Sequence, residues 1–237
     1  MYAKIGDALE KLAQSAFNDF SNTADYIWKS PRLIEHETAL EIQKLKDYYP
    51  NDPDSKRIRW QFEKRKLSSV FPHLIAIGNL FSVLSLFEMY LLLLANELSK
   101  VTSVNVKDTQ GQGVYRMLKY LRNIGINTND LEYYYEIQAA IKIRNCLIHI
   151  SGFIDWAKDG DEIKRLCKNG SYLNKIHRQR RIEIGDKFDE VELVPTKNGA
   201  RLEINNNYSF IVTSYLRDYF LNLCKSAQDF IAKKSIR

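Results

Sequence analysis

Three residues late in the chain, Arg144, Asn145 and His149, have side chains that can act together on a phosphate. Histidine exchanges protons near neutral pH, and the guanidinium fork of arginine matches phosphate oxygens. On a helix, Asn145 and His149 lie about 40° apart, whereas Arg144 lies about 140° from His149 and about 7.5 Å along the axis. Because arginine is long enough to curl back, we predict that Arg144 and His149 address one anion and that Asn145 orients the imidazole.

The same residues have a structural explanation. Their neighbours in residues 141–150 are almost all aliphatic, and a charged side chain in such surroundings is costly unless it has a partner. In this alternative Arg144 pairs with a carboxylate of the core, and His149 is a hydrogen-bonded histidine in the last turn of the helix. An isolated arginine and histidine pair favours this alternative.

The string from Ile143 to Gly152 as a whole resembles the motif of HEPN domains. In that motif an arginine is followed, after four to six residues, by a histidine, and a polar residue commonly follows the arginine. Arg144, Asn145 and His149 match it with a gap of four residues. The resemblance covers about residues 74–152 and the final helix.

The resemblance implies a metal-independent endoribonuclease, typical of toxin–antitoxin and abortive-infection systems, with an active site shared between two protomers. It implies RNA as substrate, no cofactor and no metal, a homodimer, and an antitoxin or defence-system protein as a further partner. Some HEPN toxins carry a tyrosine two positions after the histidine, where a partner nucleotidyltransferase modifies it. Ser151 stands at that position here, so neutralisation by that route is in doubt.

The residues make this chemistry plausible independently of the resemblance. Cleavage by attack of the 2′-OH on phosphorus needs a base, an acid for the leaving 5′-oxygen and cationic donors on the phosphorane. One histidine cannot easily serve both sides of an in-line displacement. A two-fold axis would bring two copies of His149 and Arg144 together in a composite site.

Glu88 is a further catalytic candidate, because it is a carboxylate within a run of leucines. If it is buried it needs a partner, and we expect it to approach Arg144 or His149, in a catalytic or a purely structural role.

A basic run after the motif is a candidate RNA-binding segment that could hold phosphates. Such runs are more often solvated helix faces. Its cations are Lys175, Arg178, Arg180 and Arg181. Aromatic residues offer two weaker candidates: Trp60 and Phe62 alternate with cations, and the run at residues 133–135 could stack bases, although core packing is the preferred interpretation.

Apolar spacing predicts a mainly α protein, a HEPN-like helical bundle with a small β-hairpin before the C-terminal helix. Residues 1–71 form an N-terminal helical extension, and residues 72–152 form the core helices that carry the motif. Residues 181–205 form the β insertion, and residues 208–235 form the C-terminal helix. All belong to one domain spanning residues 1–237.

Three local features set the expected limits of these elements. Pro72 is predicted to interrupt the chain before a central helix, residues 74–98, that is packed on all sides. Asp130 is the expected N-cap of the motif helix, which ends at Ser151 and Gly152. Alternation at Ile182 and Ile184 predicts a strand, and Asn198-Gly199 predicts a hairpin turn.

Composition limits the setting of the protein. The chain has 237 residues, 27% of them charged, and a net charge of +6, which suits a nucleic-acid partner without requiring one. Three cysteines without a CxxC pair favour a reducing compartment, and the first residues do not resemble a secretory signal. We therefore expect a cytoplasmic protein without membrane contact. The alternatives to a nuclease are a non-catalytic HEPN module for dimerisation or nucleotide sensing, and a structural helical adaptor.

Overall fold

The computed structural model describes residues 2–235, so the outermost limits of the predicted domain, 1 and 237, lie outside the described residues. Within this range the chain is mainly helical, with one antiparallel sheet of two strands just before the last helix. The predicted α class with a hairpin is therefore confirmed. The helices are α1 (Tyr2–Lys29), α2 (Pro31–Tyr48), α3 (Pro53–Arg65), α4 (Phe71–Ser99), α5 (Gly113–Asn123), α6 (Tyr134–Ile150), α7 (Gly160–Asn169), α8 (Lys175–Ile184) and α9 (Asn206–Ser235), and the strands are β1 (Val191–Thr196) and β2 (Gly199–Ile204).

The core is formed where α9 packs against both α1 and α4. Helix α1 repeats apolar residues at intervals of four and seven, which places them on a single stripe. Each of these residues is buried, and the stripe comprises Ile5, Leu9, Ala16, Phe20 and Ile27. The long helices at the two ends of the chain thus lie side by side, and α5 and α6 pack on α4.

Helix α4 is covered on one side only, so the predicted packing on all sides is wrong. Phe87 and Leu91 are fully buried, but Met89, Leu92 and Leu93 are 43%, 40% and 41% exposed. We call these three residues the α4 apolar row. Hydrophobicity around the whole helix does not show which neighbours the fold supplies, because neighbours come from distant parts of the chain.

Pro72 does not interrupt the chain, contrary to expectation. The helix runs from Pro53 to Ser99, and a π-helical turn at Lys66–Val70 joins α3 to α4. The N–H of Phe71 bonds the carbonyl of Lys66, which is the wider spacing of a π-helix. This local shift of the hydrogen bonds accommodates Pro72, which has no N–H to donate.

The Pro53–Ser99 helix is also the one helix, among residues 2–235, that is long and apolar enough to cross a membrane. Length and composition alone give that result, and the core helix of a soluble protein passes the same test. One side of α4 packs in the core. The expectations of a cytoplasmic protein without membrane contact stay predictions.

The β insertion is shorter than predicted, because residues 181–184 belong to a helix rather than a strand. The side chain of Asn174 accepts a hydrogen bond from the N–H of His177 at 2.8 Å and starts α8. Gly185, with φ +72°, ends it. The expected turn at Asn198 is confirmed, since Thr196 pairs with Gly199 at the end of the hairpin.

The hairpin holds the C-terminal end of α6. Ser151 takes the left-handed conformation at φ +53° and ends the helix, as predicted. The N–H of Leu202 in β2 then donates to the carbonyl of Gly152 at 2.8 Å, and a Cβ at Gly152 would lie 2.7 Å from the carbonyl oxygen of Leu202. Asp130 does not cap α6, which begins after Tyr133 at φ +69°.

Replacing Phe87 with alanine tests the core. Phe87 is fully buried and meets Tyr219 edge to face, so Phe87→Ala should lower the free energy of unfolding by about 3–5 kcal/mol, measured by urea denaturation. Phe62→Ala is the control: Phe62 is 64% exposed, and the change should stay within about 0.5 kcal/mol. Equal losses for the two variants would contradict the described packing.

Candidate functional site

A cavity of about 510 Å³ lies between α4, the start of α5 and the second half of α6. It contains all four residues that the sequence singled out as catalytic candidates, Glu88, Arg144, Asn145 and His149. Glu88 is far from the other three in sequence, so tertiary packing brings it to them. The remaining lining residues are Leu84, Gln112, Gly113, Val114, Tyr115 and Ile141.

Helix α6 places Asn145 and His149 at the cavity because the side of the helix opposite to them is buried. Ala140 and Ile143 on that side are fully buried in the core, and Arg144 lies nearer to the buried side but also lines the cavity. Arg144 and Asn145 are half-buried, and His149, one turn later, is exposed. The polar groups therefore stand at the edge of the core, where a ligand can reach them.

The guanidinium of Arg144 is held by its neighbour in sequence. Nη1 of Arg144 donates to Oδ1 of Asn145 at 3.0 Å. Asn145 therefore orients the arginine, and the predicted hydrogen bond to the imidazole of His149 is absent among residues 2–235. The alternative in which Arg144 pairs with a core carboxylate is also not found over this range.

The Nε atom of Arg144 is buried and has no hydrogen-bond partner within the described part of the chain. A buried donor without an acceptor is costly, and in native structures such a group calls for an explanation. Arg144 lines the cavity, so its guanidinium is placed to meet an anion bound there. The Nε of Arg201 and three other buried side-chain atoms of the described residues are also unpaired, so the sign of a ligand is the combination of this orphaned donor with the cavity.

Glu88 faces the start of α5. A Cβ added to Gly113, the first residue of α5, would lie 3.3 Å from both carboxylate oxygens of Glu88. A negative charge is favoured at a helix N-terminus, so this position gives Glu88 a structural role. Glu88 shares the cavity with Arg144 and His149, as expected, but it forms no ion pair with either one in residues 2–235.

Tyr115 is a cavity residue that the sequence did not single out. Burial raises the pKa of its phenol, and the nearby carboxylate of Asp159 adds to the rise. Tyr115 therefore stays a neutral hydrogen-bond donor at pH 7. A tyrosine in a short amphipathic helix gives no sequence signal for this position, and neither does Gly113, which reads as part of a loop.

The four predicted RNA-binding residues lie on α8 and do not line the cavity. Lys175 and Arg180 are exposed, while Arg178 is half-buried with Nη1 3.4 Å from Oγ of Ser171. Arg181 forms an ion pair with Glu190, which is fully buried. Because the guanidinium of Arg181 neutralises that buried carboxylate, Arg181 has a structural role.

Helix α8 is attached near the beginning of α6. Nδ1 of His177 and the hydroxyl of Tyr215 are 2.7 Å apart, and the ring of Tyr215 stacks on Tyr133 with centroids 4.8 Å apart. Core packing, the preferred interpretation for the tyrosine run, therefore holds for Tyr133. It is wrong for Tyr135, which is 77% exposed.

A larger cavity of about 620 Å³ lies between α2, the start of α4 and β2. Its histidine, His73, is already engaged, since Nη2 of Arg201 lies 2.9 Å from Nε2 of His73. Burial lowers the pKa of His73, and the charge of Arg201 lowers it further. This histidine is neutral at pH 7, and we regard the smaller cavity as the better candidate for chemistry.

The cysteines and metal-ligand residues add no second site. No group of three or more His, Cys, Asp or Glu side chains within residues 2–235 is arranged to hold a metal ion. Burial raises the pKa of Cys146 to about 11 and that of Cys224 to about 12, so both are unreactive thiols at neutral pH.

Comparison of the chain with protein-family models, with curated proteins and with solved structures finds no match in any of the three. The resemblance to HEPN domains therefore stays a prediction that rests on the residues of the motif and on the cavity they line.

Gly113→Ala tests the packing of Glu88 against α5. The substitution should lower the free energy of unfolding by about 1–2 kcal/mol because φ is +55°. Contact between the new Cβ and the carboxylate of Glu88 should add about 0.5–1 kcal/mol to this loss of stability. The added loss should disappear when Glu88 is also replaced by alanine.

Urea denaturation of the four proteins in this cycle measures the coupling. Gly125→Ala is the matched control, since Gly125 also has a positive φ, +98°, but has no atom within 4 Å of an added Cβ. Additive effects of Gly113→Ala and Glu88→Ala would show that the carboxylate does not lie against the start of α5.

Proposed function

We propose that the protein is a metal-independent endoribonuclease of the HEPN type that acts as a homodimer in a toxin–antitoxin or abortive-infection system. The observation that carries the proposal is the cavity that Arg144 and His149 both line, together with the buried Nε of Arg144, which has no acceptor among residues 2–235. A cation and a proton-transfer group at one cavity are what phosphodiester cleavage requires.

The reaction follows from the chemistry of these side chains. A base takes the proton of the ribose 2′-OH, the 2′-oxygen forms a bond to phosphorus, and the bond from phosphorus to the 5′-oxygen breaks. An acid gives a proton to the leaving 5′-oxygen, which leaves a 2′,3′-cyclic phosphate. His149 is the proton-transfer group and Arg144 stabilises the charge on the phosphorane, while Asn145 positions the guanidinium.

A second protomer would complete the site. The cavity is lined by one histidine, His149, whereas the displacement needs an acid and a base on opposite sides of phosphorus. The α4 apolar row begins directly after Glu88, and Ile148, next to His149, is 39% exposed. A two-fold contact through these residues would bury apolar surface and bring two His149 side chains together.

The alternatives use the same cavity differently. A non-catalytic module would keep Arg144 and His149 to bind a phosphate or nucleotide, and a structural adaptor would not need the cavity. The unpaired Nε of Arg144 favours anion binding over the adaptor. Growth arrest on expression separates the nuclease from both alternatives.

The first test is cleavage of RNA by purified protein in excess EDTA. We expect cleavage with 2′,3′-cyclic phosphate ends and no cleavage of DNA, because DNA has no 2′-OH. Arg144→Ala and His149→Ala should each lose at least about a hundredfold in rate, since each removes a contact to the transition state. Asn145→Ala should lose less, because it acts through Arg144.

Two exposed residues of the same types provide controls for these variants. His36→Ala and Arg57→Ala, in α2 and α3, should cleave at the wild-type rate. Activity that disappears with the chelator, 5′-phosphate products, or full activity of folded His149→Ala would each exclude the proposed chemistry.

The second test concerns the dimer. Leu92→Asp places a charge in the α4 apolar row of each protomer. The dissociation constant of the dimer should rise about a hundredfold, measured by light scattering over a range of protein concentrations. Leu40→Asp in α2 is the control, since Leu40 is 42% exposed and Leu92 is 40% exposed. RNA cleavage should fall together with the dimer fraction.

Mixing two inactive proteins tests whether the site is composite. A heterodimer of Arg144→Ala and His149→Ala retains one arginine and one histidine, so partial cleavage should return if the two motifs share one site. A wild-type monomer that cleaves fully where no dimer is detected would refute the composite site, and Glu88 would become the candidate for the second proton transfer.

A further inference from the structure

Five polar or aromatic side chains follow one face of α6 from its first turn to the cavity. They are spaced alternately by three and four residues, which keeps them in line along a helix. Tyr135 and His149, at the two ends, are 14 residues apart, which is about 21 Å along the axis. The row consists of Tyr135, Gln138, Lys142, Asn145 and His149.

The ring of Tyr135 at the far end of this row is open to solvent. Tyr135 is 77% exposed, and its ring meets the edge of Tyr134 with centroids 5.6 Å apart and planes at 74°. The contact with Tyr134 leaves most of the ring surface free. Because the ring gives little stability to the fold, it is free to stack on a ligand.

Charges of both signs surround the row. Helix α8 is attached at this end of α6 through His177 and Tyr215, and it supplies the exposed Lys175 and the half-buried Arg178. Burial raises the pKa of the Glu136 carboxyl, and the positive charge of the nearby Arg178 guanidinium lowers it. Glu132 also lies near, beside Tyr133.

Closer to the cavity, Nζ of Lys142 is 2.5 Å from Oε2 of Glu162. Of the acidic residues near the row, Glu136 and Glu162 are therefore each close to a cation, and Glu132 lies beside Tyr133. The row therefore connects the cavity, which suits a phosphate, to the exposed ring of Tyr135. Cations of α8 lie near that end of the row. Surfaces that bind single-stranded nucleic acid use aromatic rings together with cations.

We propose that Tyr135 is a base-stacking subsite for single-stranded RNA, and that the RNA runs along this face of α6 from the cavity to α8. This inference rests on the proposed ribonuclease function. It adds the place where the RNA binds beyond the phosphodiester bond that is cleaved. A length of 21 Å corresponds to about six nucleotides at the stacked spacing of about 3.4 Å, and to fewer when the strand is extended. Stacking accepts any base, so the subsite would favour unpaired RNA over a particular sequence.

Binding is measured with the dimeric His149→Ala protein, so that the RNA stays intact, and with a fluorescently labelled single-stranded RNA of 16 nucleotides. Tyr135→Ala in this background should raise the Kd about tenfold, and Tyr135→Phe should restore it to within about twofold, because phenylalanine keeps the ring. Binding of a fully paired RNA duplex should not distinguish the variants, since its bases are already stacked.

Tyr48→Ala is the matched control, because Tyr48 in α2 is also 77% exposed. A second measurement locates the base: 2-aminopurine is placed at successive positions of the RNA, and its fluorescence should be quenched at positions within about six nucleotides of the cleavage site. The quenching should disappear with Tyr135→Ala.

The two proposals fail in different ways. If wild-type protein neither binds nor cleaves RNA, the proposed function fails and the subsite with it. If the protein cleaves RNA but Tyr135→Ala binds it as well as Tyr48→Ala does, the subsite alone is overturned. A Tyr135→Ala protein that loses dimerisation would make Tyr135 a contact between protomers, which also overturns the subsite.

Discussion

Burial of one side of α6 is the constraint on which the candidate site depends. This helix carries Asn145 and His149 on the side opposite to its apolar residues, so burial of the apolar side leaves them accessible, and Arg144, nearer to the apolar side, reaches the same cavity. The apolar side packs against α4 and α9, and hydrophobic burial of this kind is the main stabilising contribution to a core. The buried residues on it include Ile137, Ala140, Ile143 and Leu147.

Both ends of α6 are held as well, which fixes its position along the axis. At its start, Tyr133 stacks on Tyr215 of α9, and the same tyrosine hydroxyl anchors α8. At its end, β2 bonds the carbonyl of Gly152. The β-hairpin is therefore part of the framework of the site, because it supports the turn that follows His149. A site for phosphodiester chemistry needs such rigid support, since small displacements of a catalytic group are costly.

The site itself departs from the rule that buried donors are paired. Nη1 of Arg144 donates to Asn145, and Nε has no acceptor among residues 2–235, at a cavity that Glu88 and His149 also line. An unmade hydrogen bond of this kind costs about 1–3 kcal/mol. Ligand-binding sites are one place where such costs occur in native structures, because the ligand supplies the missing partner. This argument supports an anion in the cavity for the nuclease and for the non-catalytic phosphate-binding module alike.

The features that depend on local periodicity could be predicted from the sequence. The buried stripe of α1, the hairpin turn at Asn198 and the grouping of Arg144, Asn145 and His149 on one helix follow from residue spacing. The sequence did not show that α8 is a helix, since the isoleucines at positions 182 and 184 fit a strand and pack against little. The remaining features depend on contacts between distant segments of the chain. These contacts are set by how the helices pack. The placement of Glu88 against α5, the uncovered side of α4 and the exposure of Tyr135 are of this kind. The same apolar pattern is compatible with a helix covered on one side or on all sides, and the number of neighbours that the fold supplies makes the difference.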